Sequence, residues 1–179
     1  MANSQAVDWY GKNIILKIIE NKPKKGKTFV MKMVFILQQI YKVDMGYDFN
    51  IYTYGPYSSE VTEDVEYLIH YNALDVYEKD YGGFVGYELE IANEKSKEIT
   101  ISPEDEEKLK KALDIFGDKK VKDLEIQSTI IYLNQQYVNN GWNRIKEDIM
   151  ADVKEVKPRF SDKHIEQAYD ELMALGMLF

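Results

Sequence analysis

The chain carries 31 carboxylates, two histidines and fourteen tyrosines over 179 residues, and no cysteine. Without cysteine there is no thiolate ligand, no sulfur nucleophile and no disulfide. His70 and His164 fall outside any zinc-binding helix pattern, and no Gly-x-Ser-x-Gly elbow accompanies them. Gly26-Lys27-Thr28 has the ending of a phosphate-binding loop, but Asn21 stands where that loop needs its first glycine. Carboxylate pairs suited to glycosidic chemistry are too numerous among 31 acids to single one out. No catalytic, cofactor-binding or metal-ligating residue is assigned, and no cofactor is expected. The balance falls against an enzyme, while a carboxylate site of unrecognised pattern stays open.

Binding chemistry is better represented. Six lysines (Lys22, Lys24, Lys25, Lys27, Lys32 and Lys42) lie between Asn21 and Val43 with no acid among them. The ordinary role of such a run is a solvated loop and helix edge. The sharper one is an anion- or partner-binding patch built from Lys22, Lys24, Lys25 and Lys27. Tyr41, Tyr47, Tyr52, Tyr54 and Tyr57 bracket one short segment. Tyrosine is enriched at protein interfaces, so Tyr54 and Tyr57 are candidate partner contacts beside their packing role. A second basic group, Lys154, Lys157, Arg159 and Lys163, is diluted by Glu155 and Asp162.

Helical periodicity spans residues 8–20, with Asp8 as its cap, and 29–41. Residues 47–54 alternate as a strand, which Gly55-Pro56 ends before a helix over 58–72. A hairpin follows over 74–79 and 84–91, turning at Asp80-Tyr81-Gly82-Gly83, with Val85, Tyr87, Leu89 and Ile91 on one face and Glu88 and Glu90 on the other. The rest is helical: Ser102-Pro103 opens one helix that Gly117 closes, others cover 121–137 and 142–156, and Ser161 caps the last. The expected class is α+β, mostly helical. A winged-helix-like N-terminal half, residues 1–98, would hold helices and a small antiparallel three-stranded sheet. A helical half, residues 99–179, would pack with it as one compact unit.

In such a fold the helix over 58–72 takes the DNA-recognition position, yet it carries Glu60, Glu63, Asp64 and Glu66 and neither Lys nor Arg. Phosphate would repel it, and the net charge of −8 also disfavours nucleic acid as partner. No apolar run approaches the roughly 18–20 residues of a bilayer span, and no signal peptide is visible. The expected location is the cytoplasm, with no membrane partner.

Lys27-Thr28-Phe29-Val30-Met31-Lys32-Met33-Val34-Phe35-Ile36-Leu37, followed by Tyr54-Gly55-Pro56-Tyr57-Ser58, resembles the YwgA-like uncharacterised proteins of bacteria and archaea. Gln127 to Leu133 and Val156-Lys157-Pro158-Arg159-Phe160-Ser161 look similar to the same group. The Tyr-Gly-Pro turn also has a distant likeness to the Panacea antitoxin domain. The Panacea likeness implies toxin neutralisation or proteolytic adaptor work, and neither likeness implies catalytic residues. The leading expectation is a non-enzymatic, regulatory or antitoxin-like module that binds another protein or a second copy of itself. The alternative is a nucleic-acid-binding regulator using the lysine patch.

Overall fold

The computed structural model describes residues 4–178. Among them are seven α-helices and two antiparallel sheets of two strands each, in place of the single three-stranded sheet expected. No helix among the described residues is long and apolar enough to cross a membrane. The contacts divide the chain into two units. One holds the described residues up to Phe49 together with Ser58–Asp118, and the other holds Asn50–Tyr57 with the residues from Lys119 on.

The first unit is built on α1 (Ser4–Asn21) and α2 (Lys27–Gln39). The first helix begins four residues before Asp8, so Asp8 lies inside it rather than at its cap. Ile14, Ile15, Ile18 and Ile19 of α1 are buried, as is every residue of α2 from Phe29 to Leu37. α2 packs on α1, on α3 (Ser59–His70) and on α4 (Pro103–Phe116), which explains an apolar surface wider than one stripe. Both α3 and α4 open on a serine cap: the Ser58 hydroxyl accepts from Val61 N at 3.4 Å and that of Ser102, the expected start of its helix, from Asp105 N at 3.1 Å.

Strands β3 (Leu74–Asp80) and β4 (Val85–Ile91) pair from Leu74 opposite Ile91 to Asp80 opposite Val85. Of the four residues that share one face of β4, Leu89 alone is fully buried, while Val85 and Tyr87 are exposed. Only the base of this hairpin is in the core. Its third partner is the loop before α2. Lys25 bridges Leu89 antiparallel, Lys24 N donates to Leu89 O at 3.0 Å, and Leu89 N donates to Lys25 O at 3.0 Å.

Residues 43–48 alternate buried and exposed without joining a ladder. The Gln38 side-chain amide serves there instead, donating to Tyr47 O at 2.6 Å and accepting from Tyr47 N at 3.0 Å.

In the second unit, β1 (Asn50–Tyr52) and β2 (Gly55–Tyr57) form a tight hairpin, with Tyr52 opposite Gly55. This corrects the expectation that Gly55-Pro56 simply ends a strand. Gly55, at φ +92°, lets the chain fold back, a conformation that glycine adopts without a Cβ penalty. Pro56 stands opposite Ile51. In a two-residue hairpin that pair lies where the ladder uses no N–H, so proline is tolerated. β2 packs on α5 (Val121–Asn139), which in turn packs with α6 (Lys146–Val156) and α7 (Asp162–Ala174). Leu124, Ile130, Val153, Phe160, Ile165 and Leu172 form the centre.

Candidate functional site

The densest buried chemistry of the second unit surrounds Glu125. This residue lies on the inner side of α5 and is 3% exposed. Its Oε2 accepts from the Arg159 guanidinium, and its Oε1 is 3.2 Å from Lys157 Nζ. Lys157, 1% exposed, follows α6 where Pro158 stops the helix. At that distance the ammonium neutralises Glu125 without being aligned to donate into Oε1, which has no hydrogen-bond partner among the described groups. Its hydrogens go instead to the carbonyls of Tyr52, at 3.0 Å, and Thr53, the turn of the β1–β2 hairpin. Burial pushes the Lys157 ammonium below the ordinary lysine range, against the pull of Glu125. Outside this cluster the Arg159 guanidinium lies 5.1 Å from the ring centre of Tyr54. The three charges thus pin the hairpin turn to α5 and to the Lys157-Pro158-Arg159 loop. The Lys157 ammonium and one arm of the Arg159 guanidinium are committed to protein acceptors, which makes the cluster a clasp.

A second buried ion pair joins α1 to α3 in the first unit. Lys12 Nζ stands 2.6 Å from Asp64 Oδ1, and Tyr47 donates its hydroxyl to Asp64 Oδ2 at 2.6 Å. The same ammonium lies 5.1 Å from the Tyr67 ring centre and 5.8 Å from that of Trp9. Asp64 therefore belongs to the inner side of α3, although it counts toward that helix's acidity. Its spacing from Val61, Val65 and Leu68 was the signal available for this.

The lysines proposed from sequence gather in the first unit. Lys22 pairs with Asp118 at 2.6 Å, Lys27 with Glu66, and Lys24 approaches Glu90 at 4.0 Å. The Lys25 ammonium sits 5.0 Å over the Phe29 ring. Lys32 is buried, and Lys42 donates to the Gln39 carbonyl at 2.6 Å. Most of the positive charge in this run is thus engaged by the protein itself. Gly26 has a packing reason, since a Cβ there would come within 2.7 Å of Tyr87 O. Tyr54 and Tyr57 belong to the second unit, where Tyr54 is 60% exposed and Tyr57 half-buried with its ring 5.2 Å from Tyr52. His164 Nε2 stands 3.1 Å from Asp123 Oδ1, and His70 touches Tyr71 edge to face.

Sequence reasoning missed Glu125, Lys12 and the ring group of Trp9, Tyr67 and Tyr71. Trp9 meets Tyr67 edge-on at 5.7 Å, and Tyr67 meets Tyr71 at 4.3 Å. No local pattern marks these residues, because each depends on a partner more than 30 positions away or on which turn of a helix faces outward.

No protein-family model matches the chain. It is 27% identical over 110 residues to the uncharacterised protein YwgA of Bacillus subtilis (strain 168). Over that stretch the chain is similar to YwgA. The match covers 61% of this chain and 65% of the length of that protein. The clasp takes Lys157 and Arg159 from the Val156–Ser161 stretch and borders, in sequence, the two further segments that carry the YwgA resemblance, Tyr54–Ser58 and Gln127–Leu133.

Proposed function

We propose that this protein is a non-enzymatic protein-interaction module of regulatory or antitoxin-like kind, built on a winged-helix-like frame whose DNA-facing side has been remade for a protein. The order α1, Lys25 bridge, α2, α3, β3, β4 supports the frame: the bridging loop stands where such a fold carries its first strand, and β1–β2 is an insertion before α3. The observation that carries the reading is the outer side of α3. In the recognition position it presents Glu60, Glu63 and Glu66 with Tyr67 and Tyr71, and no cation of its own. Carboxylates repel a phosphate backbone, whereas aromatic rings among polar groups are what protein interfaces select. The two buried ion clusters also fit this reading, since their cations are spent on holding elements together.

Affinity capture of the tagged full chain from its native host, read by mass spectrometry, tests the proposal. A specific protein should be enriched over a tag-only control at low salt. Recovery of nucleic acid with no enriched protein would instead favour the nucleic-acid reading and overturn this one.

A further inference from the structure

The formal charge of the chain is unevenly placed. Residues 59–91, which form α3 and the β3–β4 hairpin, hold nine acids and one lysine, a net charge of −8. The whole chain also has a net charge of −8, so its other 22 acids are balanced by its other 22 Lys and Arg. Rings are exposed on the same elements. Along the outside of α3, Glu63, Tyr67 and Tyr71 follow at intervals of four, one row of a helix surface. Tyr71 is 62% exposed, and Trp9, which packs against Tyr67, is 48% exposed. Lys27 ties this row to the hairpin, pairing with Glu66 of α3 while its ammonium lies 5.9 Å over the ring of Tyr87 in β4. Lys12, beneath Trp9 and Tyr67, cancels Asp64, Lys27 offsets Glu66 and Lys24 faces Glu90, so with these three cations counted the surplus of −8 falls to −5.

We infer that α3 and the β3–β4 hairpin form a docking face for an arginine-rich segment of a partner protein. A guanidinium stacks on a tyrosine or tryptophan face and donates a fork of hydrogen bonds to an adjacent carboxylate. The row Glu63, Tyr67, Tyr71 with Trp9 offers both within one helix face. The surplus of negative charge raises the local concentration of a cationic segment before contact. The inference rests on the protein-interaction reading and names the chemistry of the partner.

The test is a fluorescence-anisotropy titration of the full chain with labelled nona-arginine at low salt. Glu63→Lys and Tyr71→Ala together should weaken binding by about tenfold. Glu155→Lys, which makes the same charge change on α6, should stay within about twofold of the parent. Near-UV circular dichroism checks that each variant is folded. Equal weakening by Glu63→Lys and Glu155→Lys would mean general charge attraction and would overturn the inference, as would tighter binding of a labelled single-stranded oligonucleotide. A captured partner retained in full by the Glu63→Lys, Tyr71→Ala double variant would sink this face and leave the interaction reading intact.

Discussion

At the scale of single residues, the charged groups that matter most for stability are the ones water cannot reach. Lys157 holds two carbonyls of a hairpin turn and faces Glu125 in a site closed to solvent. Removing one member of such a set leaves the others desolvated and uncompensated, a larger loss than the set's net worth. Lys157→Met should cost about 3 kcal/mol, seen as a lower urea midpoint of the second unit. An unchanged midpoint would show that the clasp contributes nothing net. Arg159→Ala should cost less, because its guanidinium side chain is 46% exposed and water replaces part of what is lost. Gly11 is the converse case, a missing side chain that makes room. A Cβ there would lie 2.0 Å from the Tyr47 hydroxyl oxygen, which is bonded to Asp64. Gly11→Ala should destabilise the first unit by about 2 kcal/mol in the same measurement, since Tyr47 must leave its partner to clear the methyl.

At the scale of elements, α5 and α6 are joined at their rim by Tyr137, whose hydroxyl donates to Asp152 Oδ2 at 2.7 Å. The hydrogen bond to the Asp152 carboxylate, with burial adding to it, pushes the Tyr137 phenol up to about 12. A phenol held above its unfolded value near 10 stabilises the fold while both states keep the proton. That contribution falls as pH rises through the window from about 10 to about 12, where the unfolded chain ionises first. Thermal melts of wild type and Tyr137→Phe should therefore converge between those pH values, and absorbance titration should lose its last-titrating tyrosine. A gap in melting temperature that stays constant through the window would contradict this. Element starts and stops were the legible part of the sequence. Ser58, Ser102, Ser161 and Gly117 mark their helix ends because capping is decided within four residues. The β1–β2 hairpin was not legible, because a three-residue strand has too few positions to show alternation and Pro56 reads as a breaker until its register is known.

At the scale of the whole molecule, charge placement carries the functional expectation. A partner drawn by the surplus of residues 59–91 should leave the capture column as salt is raised, because exposed charges are screened beyond about 10 Å at 0.1 M. A partner that stays bound in high salt would point to an apolar interface elsewhere. The sequence alone determined the mostly helical class, the helix boundaries to within a few residues, the long hairpin, the YwgA likeness and the acidity of α3. All of these depend on residue type at short range. Tertiary structure decided which charges are spent and which remain. The lysine run of residues 22–42, a candidate patch in sequence, is largely engaged by Asp118, Glu66, Glu90 and Phe29. Glu125 and Asp64, two acids among 31 in sequence, are the centres of the buried clusters. Composition counts charges, but pairing depends on distances between residues remote in the chain, and those distances exist only once the helices have packed.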